Sequence, residues 1–226
     1  MQWPAALALV RKRVKPSRDG HAKPRERLQW WKFSRSVQDL FEAVAPLRRF
    51  IACPATAKRF HMIWCEPSWV PSNATSVFAF DDDFSMGVLL SAVHTHWATA
   101  QSTRLETRPR YTVASFTTFP WPYPVTEEQR EAVAAASRAL IARRSEICLE
   151  RQIGLTKLYN QMDDGAWADL RKLHRELDEA VAAAYGWPKR IAQDPAETNA
   201  RLLELNRAIA AGEREYEPFG APPHRA

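Results

Sequence analysis

Between residues 120 and 124 the chain reads Pro-Trp-Pro-Tyr-Pro, and no other stretch restricts the fold as strongly. Each proline fixes its own φ and disfavours helix in the residue before it, so this segment is stiff and extended and reads as a domain boundary. After it the local signals are helical. Thr126 with Gln129 makes a capping box for a helix reaching about Gln152. Asp163 or Asp164 opens a second helix, with Trp167, Leu170, Leu173, Leu177 and Val181 on one face and Gly186 and Pro188 beyond its end. Asp194 opens a third, with Pro195 at the first helical position, Glu197 three residues from the cap, Leu202, Leu205 and Ile209 along it, and Gly212 at its end.

The residues before the prolines are mixed. Residues 11 to 27 (RKRVKPSRDGHAKPRER) hold two prolines, a glycine and almost no apolar side chains, which predicts an extended or loosely ordered connector. Phe33, Val37, Leu40, Phe41 and Val44 recur at helical spacing between Trp30 and Ala45. Arg49 to Cys53, Phe60 to Cys65 and Ser76 to Phe80 are rich in strand formers and suggest a small sheet. Met86, Leu89, Leu90, Val93 and Trp97 predict one helix over Phe84 to Gln101, and Arg110 to Phe119 reads as extended. The expected class is α+β: a basic connector over 1–29, a small mixed α/β domain with a short sheet over 30–124, an all-α helical bundle over 125–212 and a tail over 213–226.

With 226 residues, 46% of them hydrophobic, and 9 Trp and 10 Phe, the chain can fill a core. No apolar run approaches the roughly 20 residues that span a bilayer, and the first ten residues lack the features of a secretory signal, so the expected location is cytoplasmic, with no membrane partner. Cys53, Cys65 and Cys148 have no CxxC pairing and read as buried thiols; with His94 and His96 they match no zinc spacing. The net charge of +6 is uneven: residues 1–35 hold ten basic side chains against Asp19 and Glu26, residues 36–120 balance, and residues 121–226 carry a slight acidic excess. That basic arm is either a phosphate-binding footprint or a solvated linker.

A catalytic centre is not legible. The seven glycines never fall within two positions of one another, so there is no glycine-rich cofactor loop; the only Pro-Pro pair is Pro222-Pro223; and no lysine follows an acid by two residues, as a metal-dependent nuclease would need. Asp81, Asp82 and Asp83 read as a turn and helix cap rather than a cation site. His94, between Leu90 and Trp97, reads as a hydrogen-bonded core histidine, and Ser91 has no nucleophile context.

Residues 77–122 carry a resemblance. Ser91, His94 and Trp97, then Leu105 to Arg108 with Arg110 to Thr112, then Phe116 and Phe119 to Pro122 follow an S..H..W helix, an LETR-RYT element and a Phe-Pro-x-Pro close. This resembles the target-recognition region of large bacterial adenine-N6 DNA methyltransferases, found in type IIG/IIL restriction-modification enzymes and in BREX and related phage-defence systems. RVKPSRD at 13–19, Trp30-Trp31 and ATAKRF at 55–60 resemble the approach to that region; GLTKLYN at 154–160, LHRELDEAVAAAYGW at 173–187 and RLLELN at 201–206 resemble its C-terminal helices. The likeness covers roughly residues 10 to 212. Family members place a methyltransferase domain ahead of this region, and this chain begins where theirs has ended.

The resemblance implies a module that reads double-stranded DNA. It has no catalytic residues of its own, no cofactor in this chain, and S-adenosylmethionine held by a separately encoded methyltransferase half or domain. Candidate DNA contacts are Arg48, Arg49, Thr56, Lys58, Arg59, Arg104, Arg108 and Arg110, because arginine can pair with both acceptors of guanine and lysine with phosphate. Arg110 either reads DNA or pairs with the Asp81–Asp83 turn. Tyr111, Phe116, Phe119 and Trp121 read as core aromatics, and the C-terminal helices as a brace. A truncated remnant, or a helical protein-interaction subunit of a defence system, are the other readings.

Overall fold

The computed structural model describes residues 3–32, 37–105 and 108–219, with the side chains of Arg104 and Leu105 excepted. Phe33, Glu106, Thr107 and the Pro222-Pro223 pair lie outside the described residues. The chain divides into two compact units, Met1–Ala45 and Pro46–Ala226.

The first unit corrects the expected connector. It holds helices α1 (Pro4–Arg13), α2 (Lys15–Asp19), α3 (Pro24–Leu28) and α4 (Gln38–Val44). Pro4, Pro16 and Pro24 each sit in a first helical turn, where the missing N–H costs nothing and the fixed φ suits the helix. Prolines taken as breakers are therefore initiators. Glu26 is buried and ties this unit together, accepting from Arg18 at 3.4 Å and facing His21 Nδ1 at 2.9 Å. Of the helix expected between Trp30 and Ala45, the described residues hold α4.

The second unit begins with a three-stranded antiparallel sheet in the order β2-β1-β3, built from β1 (Phe50–Pro54), β2 (Ile63–Cys65) and β3 (Thr75–Phe78). The central strand is buried from Phe50 to Cys53, which explains its unbroken apolar run. The expected single helix over 84–101 is two, α5 (Asp83–Leu90) and α6 (Ala92–Gln101). Ser91 between them is extended, with ψ 157°, and its hydroxyl accepts the His94 N–H at 3.3 Å as the cap of α6. A hairpin of β4 (Thr103–Leu105) and β5 (Arg108–Arg110) follows. The expected extended run over 110–119 then gives way to α7 (Val113–Thr117), capped by Thr112, whose hydroxyl accepts the Ser115 N–H at 3.1 Å.

Beyond the prolines, α8 (Glu127–Arg151) carries the expected capping box. A further helix, α9 (Leu155–Asp163), covers the GLTKLYN segment that resembles the family's C-terminal helices, and Asp163 closes it instead of opening the next. α10 (Ala168–Ala184) starts from Trp167 at φ 58° with no side-chain cap, and ends in a Schellman turn in which Trp187 donates to the Ala182 carbonyl at 2.9 Å and Gly186 supplies φ 72°. A 3₁₀ turn (Lys189–Gln193) leads to α11 (Pro195–Ala210), capped by Asp194 as expected. The α+β class holds. One hydrophobic cluster runs through the second unit from Ile51 to Leu202, so residues on both sides of the proline segment share a core. Arg214 donates to the Tyr123 carbonyl at 2.8 Å, and the Tyr216 hydroxyl accepts the Trp121 N–H at 2.6 Å, so the start of the expected tail is docked on that segment.

Candidate nucleic-acid interface

Of the motif residues, Ser91, His94, Trp97, Tyr111, Phe119 and Trp121 are buried, while Arg108 and Arg110 are exposed. His94 is buried; its Nδ1 lies 2.8 Å from the Leu89 carbonyl, which can only accept, so Nδ1 carries the proton and Nε2 accepts from the Tyr111 hydroxyl at 2.9 Å. Burial lowers the His94 pKa to about 4 and raises that of Tyr111, keeping both neutral. Trp97 Nε1 donates to the Ser115 carbonyl at 3.0 Å. Phe78, Phe116, Phe119 and Trp121 pack edge-on around Tyr111 and His94. These aromatics are core, as expected. They fix where the hairpin of β4 and β5 leaves the core.

The candidate cations separate into two groups. Arg48 and Arg49 stand at the start of β1 and are bound to the acidic turn: Arg48 Nε reaches Asp81 Oδ2 at 3.4 Å, while Arg49 donates to Asp83 Oδ1 at 2.7 Å and stacks on Trp64 at 3.6 Å. Asp82 caps α5 through the Ser85 N–H at 2.8 Å, so the aspartates form a turn and cap as expected. Arg110 does not join them; Arg138 of α8 does, at 3.4 Å from Asp83.

At the other end of β1, about 15 Å away at ~3.3 Å per residue, the loop 55–61 docks on the hairpin. Thr56 bridges Arg110, Tyr111 donates to the Ala55 carbonyl at 2.8 Å, and Ala57 to the Pro109 carbonyl at 3.4 Å. The structure thus brings Thr56, Lys58, Arg59, Arg108 and Arg110 together and leaves Arg48 and Arg49 apart. Lys58, Arg108 and Arg110 are exposed. Arg59 is turned toward α9, paired with Asp163 and donating to Asn160 Oδ1 at 3.3 Å; Lys58 lies 4.0 Å from Asp163. The backbone of Arg104 lies on β4, and its side chain is outside the described residues.

Under this loop lies a group that sequence reasoning missed. Arg144 of α8 is buried and donates through Nη2 to the Met62 carbonyl at 3.0 Å, while its Nη1 has no partner. Beside it, His61 rests against the Tyr159 ring at 4.6 Å, and Tyr159 shares a 3.1 Å hydrogen bond with His174. Burial first, then the Arg144 charge, lowers the pKa of both His61 and His174 to about 4. The signal in the sequence was the register of α8: Val133, Ser137, Leu140, Arg144 and Ile147 occupy one buried face at helical spacing, with an arginine where an apolar residue is the rule.

The segment from the end of β1 through the proline run has the residues of a target recognition domain. Residues 53–123 match the family model of that domain in MmeI. The fold agrees over far more of the chain: it is similar to the structure of the type IIL restriction-modification enzyme MmeI in complex with DNA, at 25% identity and a TM-score of 0.76, covering 92% of this chain and 27% of that one. The chain therefore spans about a quarter of the length of that enzyme, and the likeness includes the C-terminal helices as well as the recognition domain. Nothing among the curated proteins matches.

Proposed function

We propose that this chain is the sequence-reading part of an adenine-N6 DNA methyltransferase of a restriction-modification or phage-defence system, acting on double-stranded DNA in the bacterial cytoplasm. The observation that carries the reading is the docking of loop 55–61 on the hairpin through the Thr56–Arg110 bridge, which gathers exposed cations on one surface of a fold shared with a DNA-bound enzyme. Lys58 and Arg110 meet the duplex directly, Thr56 and Arg108 lie beside them, and Arg104, a residue of β4, is a further candidate contact. Phosphate contacts set register and affinity, and arginine forks at base edges supply discrimination of about 1–3 kcal/mol each. Arg48, Arg49 and Arg59 hold structure through Asp81, Asp83 and Asp163.

Methyl transfer belongs to a separate methyltransferase half or domain that binds S-adenosylmethionine. The test is reconstitution. The chain, a methyltransferase polypeptide encoded beside it, labelled cofactor and genomic DNA are combined, and the modified adenines are mapped. Methylation at one sequence that requires this chain is the expected result; an unchanged pattern when the chain is omitted would refute the proposal.

A further inference from the structure

A buried guanidinium is held at a cost, because desolvating a charge takes several kcal/mol that hydrogen bonds only partly return. Arg144 has an incomplete set. Nη2 meets the Met62 carbonyl, the Tyr159 hydroxyl interacts with the guanidinium, Nη1 is unpartnered, and among the described residues no carboxylate pairs with it. Its neighbours add no negative charge, since His61, His174 and Tyr159 are all kept neutral by burial. A methionine of similar length would avoid the desolvation cost.

What the arginine does supply is one charged donor aimed at one carbonyl. Met62 is fully buried and joins loop 55–61 to β2, so the bond from α8 fixes the loop at the point where it re-enters the sheet. A second hold comes from α9, where Asn160 and Asp163 take Arg59. The hairpin grips the loop from the other side through Arg110 and Pro109.

We infer that Arg144 is a positioning residue for DNA recognition: through the Met62 carbonyl it locks the cation-bearing loop 55–61 onto the hairpin, at the expense of stability. The helices after the prolines thereby set the geometry of the reading surface instead of merely supporting the domain. The inference rests on the proposed DNA reading for its purpose but not for its geometry, and the test separates the two.

Arg144→Met is compared with the unaltered chain by thermal unfolding, by amide hydrogen exchange and by binding to a short random-sequence DNA duplex. The expected result is an unchanged or higher Tm, exchange at Ala57 and His61 faster by about tenfold or more, as loss of a hydrogen bond from a charged donor implies, and weaker duplex binding. Arg144→Lys, which keeps one charged donor, should restore slow exchange at both amides. Loss of folding or a fall in Tm in Arg144→Met would overturn the inference, because the residue would then be a structural keystone, and unchanged exchange at Ala57 and His61 would overturn it equally. If the unaltered chain fails to bind duplex while the exchange result holds, the DNA reading falls and the loop-positioning role stands.

Discussion

Ser91, His94, Tyr111 and Thr112 show how residues that carry a family resemblance can do so without touching DNA. Ser91 and Thr112 cap helices, and His94 and Tyr111 close a buried hydrogen bond, so each fixes backbone on which the exposed cations stand. The sequence revealed the inward position of His94 and Tyr111, but not the capping roles of Ser91 and Thr112 or the split among the arginines. Arg48, Arg49, Arg59 and Arg110 look alike as letters, and only the location of Asp81, Asp83 and Asp163 in space separates the first three, which lie against a carboxylate, from Arg110. One buried and two half-buried histidines also make the chain sensitive to acid. His61, His94 and His174 are lowered from 6.5 to about 4, so below pH 6.5 the unfolded chain binds more protons than the folded one and stability falls as pH drops toward 4. Asp178, raised from 3.8 to about 6 by burial, acts in the opposite sense over nearly the same range, gaining stability as pH falls. Three groups outweigh one, so Tm should decline steadily from pH 7 to pH 4.5. A Tm that stays level or rises over that interval would contradict the neutral histidines.

Among the elements, α8 has the widest reach, lying against α5 through Gly87 and meeting the loop before β2 through Arg144. At Gly87 an added Cβ would come within 2.7 Å of Val133 Cγ1 and 3.0 Å of the Val133 carbonyl, an approach that neither helix can relieve without shifting. Gly87→Ala should therefore destabilise the protein by about 1–3 kcal/mol through overpacking, read as a lower denaturant midpoint at unchanged slope; a midpoint equal to that of the unaltered chain would mean the helices do not cross so closely. The capping box of α8, the Asp194 cap of α11 and the apolar run of β1 were legible because each is a local signal. The break at Ser91 was not, since the apolar stripe continues across it and only the serine's extended backbone interrupts the helix. α7 was missed because the β-branched residues around Thr112 imitate a strand, and α9 was visible only through the resemblance of GLTKLYN, which is too short for its period to stand out. The three short helices of the first unit were hidden by prolines that start helices as readily as they end them.

At the scale of the whole molecule, charge and fold lead to one account. The basic excess belongs to residues 1–35, of which Pro4–Arg13, Lys15–Asp19 and Pro24–Leu28 are helical, while the second unit gathers a smaller set of exposed cations where loop 55–61 meets the hairpin. The proline segment, taken from sequence as a border between domains, is the place where tail, helices and aromatic core meet, with the Tyr185 hydroxyl donating to the Pro120 carbonyl at 2.7 Å and Tyr216 accepting from Trp121. A sequence pass cannot see this, because a stiff extended run marks a boundary and a packed strap with the same residues. The account's central claim is that this fold grips duplex DNA through Lys58 and Arg110. The most direct measurement is duplex affinity across a series of salt concentrations for the unaltered chain and for a variant with both residues changed to alanine. Affinity should fall with salt in both, with the logarithmic slope smaller in the variant by about two, one for each phosphate that the variant leaves unneutralised. Equal slopes, or no binding of the unaltered chain even at low salt, would contradict the account.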